Sequence, residues 1–195
     1  MTKLLIVDCD GTLREPKNDS KHINSPEDQK IILGADKAVS YYHNQGYIII
    51  AITNQGGVEK GYKTLKETVE EQVYTLKLFP EISHLYFCPD IRGNQLVKVG
   101  LRNGDFYFEE YKRSDFLYLN IPGELKYKSF RKPGNGMLMV AIDSLETYPE
   151  RILYIGDRPE DKQAAISAEI DFLWADKWRE MAPPTPSERS FGNRL

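Results

Sequence analysis

The sequence predicts an α/β fold: a mostly parallel sheet with helices on both faces, three layers in all. Three observations carry the prediction. Short apolar runs at residues 4–7, 47–52, 84–87, 152–155 and 172–174 recur along the 195-residue chain. Helix-patterned stretches lie between most of them. Several runs end in polar residues that core packing does not require, at the strand edge where open α/β sheets bind ligands.

The elements follow in order. The first strand, 4–7, runs into Asp8-Cys9-Asp10-Gly11-Thr12-Leu13. Ser25-Pro26-Glu27-Asp28 has a capping serine, proline at the first helical position and acids in the first turn. It predicts a helix reaching Asn44, where Gln45-Gly46 stops it. Strand 47–52 ends at Thr53-Asn54, and a helix over 64–78 is halted by Pro80 before strand 84–87. The rhythm then changes. Runs 96–99 and 106–108 flank Asn103-Gly104, a strong hairpin signal, so about 90–130 reads as a small β-rich insertion. Alternation resumes with a helix at 135–145, strand 152–155, a helix at 160–168 and strand 172–174. Residues 1–181 are expected to form one domain carrying that insertion, and 182–195, with Pro183, Pro184 and Pro186, a loosely held tail.

Composition narrows the function classes. A formal charge of −3 argues against nonspecific coating of nucleic acid and leaves room for a local basic patch. Cys9 and Cys88 are the only cysteines, too few for a disulfide framework, which points to a reducing, cytoplasmic setting. No apolar run approaches about 18 residues, and the first is too short for a signal peptide, so no membrane partner is expected.

The polar strand ends and loops are Asp8 with Asp10, Thr53-Asn54, Arg131-Lys132, and Asp157 with Asp161. In a parallel sheet most of these converge on one edge, and together they could transfer a phosphoryl group. One carboxylate serves as nucleophile and another as acid and then base. Mg²⁺ suits carboxylates beside a phosphate oxygen, while a hydroxyl and a lysine can hold the remaining oxygens.

These residues resemble the four ordered motifs of the haloacid dehalogenase (HAD) superfamily: Asp8-Cys9-Asp10-Gly11-Thr12-Leu13, Thr53-Asn54-Gln55, Arg131-Lys132-Pro133 with Gly136-Met137, and Gly156-Asp157-Arg158 with Asp161. More narrowly, the chain resembles subfamily IIIA, in the branch of histidinol-phosphate phosphatase, heptose bisphosphate phosphatase and polynucleotide 3′-phosphatase domains. The resemblance implies a Rossmann-like fold, Asp8 as nucleophile and Asp10 as general acid/base. It further implies Mg²⁺ held by Asp8, the Asp10 carbonyl and Asp157, with Asp161 supporting the metal site. Thr53 and Lys132 would hold the phosphoryl group, and Asn54 and Arg131 would face the substrate.

The chain departs from that branch at its zinc loop. Cys88-Pro89-Asp90 matches the loop's start, but Lys128-Ser129-Phe130 replaces the later cysteine pair, so no zinc is expected. Strand alternation turns Cys9 away from the two acids, as a packing residue. In the insertion, basic residues such as Arg102, Lys112 and Arg113 are interleaved with Phe106, Tyr107, Phe108 and Tyr111, and acids are present as well. Three readings stay open there: a packed face, a substrate-selecting flap and a nucleic-acid groove. Three functions follow: a phosphomonoesterase acting on a small phosphorylated metabolite such as a sugar phosphate, a 3′-phosphatase of nucleic-acid ends, or a non-catalytic phosphate-binding module.

Overall fold

The structure, a computed structural model, describes residues 2–18, 20, 22–119 and 127–181. Its central sheet has seven strands, β1 (Lys3–Asp8), β4 (Tyr47–Asn54), β5 (Ile82–Cys88), β6 (Gln95–Arg102), β7 (Asp105–Lys112), β8 (Arg151–Gly156) and β9 (Asp171–Trp174). They lie in the order β7-β6-β5-β4-β1-β8-β9. The five strands from β5 to β9 in that order are parallel, and β6 and β7 continue the sheet antiparallel at one edge.

Alternation along β1 divides the core. Leu5 and Val7 face a cluster with Ala35, Ala38 and Val39 of helix α1 (Ala35–Asn44), Leu76 of α2 (Leu65–Leu78) and Trp178 of α5 (Ala175–Met181). Leu4 and Ile6 face the opposite cluster with Met137, Leu138 and Ala141 of α3 (Gly136–Asp143) and Ala164 and Ala165 of α4 (Pro159–Ala168). Three helices therefore cover one face and two the other, which makes the predicted three layers. Among the described residues no helix is long and apolar enough to cross a membrane.

One expectation needs correction. The helix expected from Ser25 begins only at Ala35. Residues Gln29–Ile31 instead form β3, paired antiparallel with β2 (Arg14–Pro16), and Gly34 at φ 87° sets the helix start. The local capping signal at Ser25 is outweighed by this pairing, which places Gln29 in the interior. The β-rich stretch after β5 continues the main sheet. β6 joins β5 through His84–Gly100 to Phe87–Val97, so the hairpin widens the main sheet before the 3₁₀ helix Arg113–Leu119. Helix α5 was not anticipated, because only Ala175 and Trp178 turn inward and too little apolar periodicity marks it. The expected tail at 182–195 lies outside the described residues.

Candidate active site

β1 runs between β4 and β8, so its carboxyl end delivers Asp8 to the middle of the sheet edge. The chain then turns tightly: the Cys9 carbonyl accepts from the amides of Leu13 at 2.9 Å and Arg14 at 3.0 Å. Gly11 is needed in that turn. Its φ is 90°, and a Cβ there would collide with the Asp157 carboxylate, so only glycine lets the end of β8 come this close. Cys9 packs, as expected, into the core beneath.

Asp8 is buried and its Oδ1 is ion-paired with the Lys132 ammonium. Lys132 also meets Asp161 Oδ1 at 2.6 Å. The Tyr154 hydroxyl accepts from Lys132 at 3.2 Å and donates to Asp161 at 2.6 Å. The Arg158 amide donates to the other Asp161 oxygen at 3.0 Å. Oxygen atoms of Asp8, Asp157 and Asp161 lie within 4.8 Å of one another. Asp8 and Asp161 thus share one ammonium, while Asp157 has only the exposed Arg158 at 4.0 Å. Burial, opposed by Lys132 and reinforced by Asp161 and Asp10, pushes the Asp8 carboxyl up to about 7. Asp157 is raised too, by burial and then by Asp161. At Asp161 burial is outweighed by Lys132, and the carboxyl falls below its usual range.

Asp10 sits in a different environment. Its Oδ1 accepts from Arg14 Nε at 3.1 Å, and its Oδ2 from Thr53 Oγ1 at 3.0 Å and Gln55 Nε2 at 2.8 Å. Burial would raise this carboxyl, but Arg14, the Thr53 hydrogen bond and Lys63 together hold it below the ordinary value.

The structure brings Asp8, Asp10, Thr53, Lys132, Asp157 and Asp161 to one edge. Asn54 has a task that the sequence did not suggest. Its amide clasps the Lys132 backbone, accepting from the nitrogen at 3.0 Å and donating to the carbonyl at 3.1 Å. Arg131 is turned the other way, toward Gly56, where an added Cβ would stand 2.8 Å from Nη1. That nitrogen is buried without a hydrogen-bond partner. Arg14, Gln55 and Tyr154 were missed. Gln55 lay within a quoted motif, but Arg14 and Tyr154 carry no local signal, since their partners are remote in sequence. In the former zinc-loop position, buried Cys88 contacts Asp90, whose carboxylate accepts from the amides of Asn94 at 2.9 Å and Gln95 at 3.0 Å. Hydrogen bonds on Asp90 thus close this loop.

Sequence and structure comparisons identify the family. The family described as "Polynucleotide kinase 3 phosphatase" matches residues 3–180. The D-glycero-alpha-D-manno-heptose-1,7-bisphosphate 7-phosphatase of Campylobacter jejuni is 26% identical over 176 residues, 88% of this chain and 81% of that protein. A probable D-glycero-D-manno-heptose-1,7-bisphosphate 7-phosphatase of Thermoplasma volcanium is 32% identical over 158 residues, 81% of this chain and 87% of that one. In fold, the chain resembles the D,D-heptose 1,7-bisphosphate phosphatase of B. bronchiseptica, solved with magnesium and phosphate. The TM-score is 0.61 at 19% identity, over 88% of this chain and 79% of that one. Named relatives that are phosphatases set aside the non-catalytic reading. The chain belongs to the polynucleotide kinase 3 phosphatase family of the haloacid dehalogenase superfamily and is a phosphatase of that type.

Proposed function

We propose that the protein is a Mg²⁺-dependent phosphomonoesterase that works through an aspartyl-phosphate on Asp8 and acts on a small phosphorylated sugar. The observation that carries this reading is the buried Asp8 carboxylate, sharing a single ammonium with Asp161 and lying close to Asp157. That donor set fits a hard divalent cation: all oxygen, acidic, and with an Asp8 carboxyl raised by burial and by the neighbouring carboxylates Asp161 and Asp10. Asp8, Asp157 and the Asp10 carbonyl would hold Mg²⁺. Asp161, already accepting from Lys132, Tyr154 and Arg158, instead supports the site by fixing Lys132. Bound Mg²⁺ would supply charge neutralisation for Asp8 and the phosphoryl oxygens.

The side chains account for the two steps. An Asp8 oxygen bonds to phosphorus as the ester P–O bond breaks, and Asp10, ionised before substrate binds, takes the proton of the bound phosphate monoanion and gives it to the departing alkoxide. Water then attacks phosphorus, its proton passes to Asp10, and the Asp8–phosphorus bond breaks to release inorganic phosphate. Lys132 moves from Asp8 onto a phosphoryl oxygen, and Thr53, beside Asp10, offers the other donor. Arg131, with its unpartnered nitrogen, faces the rest of the substrate.

Relatives named for heptose bisphosphates support a sugar phosphate. The family description favours a second reading, a 3′-phosphate on a nucleic-acid end. The hairpin gives that reading little support. Its tip, Asn103 and Gly104, lies beyond the Gly100–His84 pairing, at the sheet end opposite the site, and Arg102 is spent on Glu109 at 3.2 Å.

A panel of sugar phosphates, p-nitrophenyl phosphate and 3′-phosphorylated oligonucleotides tests both readings. Mg²⁺-dependent turnover of sugar phosphates, lost in EDTA and in Asp8→Asn, is expected. Turnover that survives Asp8→Asn would overturn the nucleophile. Preference for oligonucleotides, with strongly salt-dependent binding, would overturn the sugar assignment.

A further inference from the structure

Arg14 is the largest charged side chain in the interior, and it is fully buried. All three of its nitrogens are engaged. Nε donates to Asp10 Oδ1 at 3.1 Å, and Nη2 donates to Gln72 Oε1 at 2.9 Å. Nη1 donates to Gln29 Oε1 at 2.9 Å, to the Glu71 carbonyl at 3.3 Å and to Thr75 Oγ1. The acid nearest to competing for it, Glu71, is paired instead with Lys63 at 2.6 Å and presents only its backbone to Arg14. Asp10 is therefore the single carboxylate that the guanidinium hydrogen-bonds among the described residues. Backbone contacts reinforce the link, since Gly11 N donates to the Arg14 carbonyl at 3.0 Å across the same turn.

Such an arrangement does more than neutralise a charge. Arg14 fixes one Asp10 oxygen, and Thr53 and Gln55 fix the other. Three donors on two oxygens set both the position and the plane of the carboxylate. Helix α2, through Glu71, Gln72 and Thr75, and strand β3, through Gln29, hold the guanidinium itself. A proton donor displaced by about an ångström loses on the order of 100-fold in rate. We propose that Arg14 is a positioning residue that aims Asp10 at the leaving-group oxygen, anchored for that purpose on α2 and β3. The inference rests on the phosphomonoesterase reading above and deepens it.

A purely structural Arg14 makes a different prediction from a positioning one, and leaving-group chemistry separates them. The kcat/KM ratio reports steps through departure of the alcohol, where Asp10 donates its proton. p-Nitrophenolate departs with little help, phenolate needs more, and p-methoxyphenolate needs most. In Mg²⁺, Arg14→Met is expected to lower kcat/KM for p-methoxyphenyl phosphate roughly tenfold more than for p-nitrophenyl phosphate, with phenyl phosphate between. Leu76→Ala, which opens a cavity in the same helix without touching the guanidinium, should leave that ratio unchanged. If Arg14→Met does not fold, Gln72→Leu, which loosens the far end of the clamp, should move the ratio in the same direction by a smaller factor. An equal loss on all three esters in a folded Arg14→Met, an unmoved ratio in Gln72→Leu where only that variant folds, or a ratio moved as far by Leu76→Ala, would overturn the positioning role. Wild-type protein that turns over none of the three esters would overturn the phosphomonoesterase reading as well, and so distinguishes the two failures.

Discussion

Asp8 and Asp10 stand two residues apart at the same sheet edge, yet their surroundings drive them in opposite directions. Asp10 has its charge met within the protein, by Arg14, Thr53 and Gln55. Asp8 has to share Lys132 with Asp161, and Asp157 lies close by. Burial raises both carboxyls. Asp10 still ends below its usual value because a whole guanidinium is devoted to it, whereas Asp8 ends near 7. On the reading proposed above, the difference marks where positive charge is supplied from outside. A complete polar shell suits a group that must keep one orientation through two proton transfers. An incomplete one suits a group that must take up a cation and then a phosphoryl group.

The sharpest way to break this contrast is to remove the one ammonium on the Asp8 side. Lys132→Met leaves Asp8 and Asp161 buried without their partner and should cost about 3–5 kcal/mol of folding stability. Turnover should fall on the order of 10²–10³-fold, because a donor to the phosphoryl oxygens goes with it. Denaturant titration without metal and steady-state assays in Mg²⁺ measure the two effects. A variant as stable as the parent in metal-free buffer would show that Lys132 is not what balances these acids.

Proton linkage gives the next largest effect. The folded protein keeps a proton on Asp8 from the unfolded value of 3.8 up to about 7, and the unfolded chain does not. Metal-free stability should therefore fall as pH rises through that window. Asp10 has the opposite sign: its contribution is present above the unfolded value and is lost as pH falls through its lowered one. Mg²⁺ must displace the Asp8 proton, so its apparent affinity should rise roughly tenfold per unit from pH 5 to about pH 7 and then level off. Calorimetric titration at several pH values reads this directly. An affinity flat across that range would mean that Asp8 is not the ligand carrying the proton.

Gly11→Ala should have a smaller effect with the same logic. It strains a residue at φ 90° and pushes the Asp157 carboxylate aside, at an expected cost of about 1–2 kcal/mol. The Mg²⁺ midpoint should shift to higher concentration while the Asp10 side, which does not touch Gly11's open face, keeps its hydrogen bonds. Equal Mg²⁺ midpoints in variant and parent would remove Asp157 from the cation site.

The two acids were not equally legible in the sequence. The Asp8 side could be read, because its partners sit at strand ends or just before a helix, where apolar runs stop and polar residues stand out, as at Lys132, Asp157 and Asp161. In the shell of Asp10, Thr53 stood out in the same way but Arg14 did not, since it finds Gln29, Gln72 and Thr75 only after β3 and α2 have packed. The same blindness misplaced the helix before Ala35. Ser25-Pro26 is a local signal, and the pairing of Gln29–Ile31 with Arg14–Pro16 is tertiary. Asn54 shows the reverse case. Its position was right, but its amide holds the Lys132 backbone.

The weakest expected effect tests how far the contrast is confined to one end of the sheet. β6 leaves the active edge at Gln95 and reaches Arg102 at the far end, and β7 returns to Lys112. Leu101 and Phe106 are exposed there, and Phe108 at the middle of β7, on the flank of β6 and β7 that carries Val97 and Val99. Phe108→Ser should change stability by no more than about 0.5 kcal/mol, as surface replacements do. It should also leave kcat/KM for sugar phosphates within twofold or so, since a residue on the edge strand, with β6, β5 and β4 between it and β1, meets neither acid. A selective loss of turnover on oligonucleotide ends in this variant would bring the hairpin into substrate binding after all. It would then extend the reach of the Asp8 edge along the antiparallel strands, and the preference for a small sugar would have to yield.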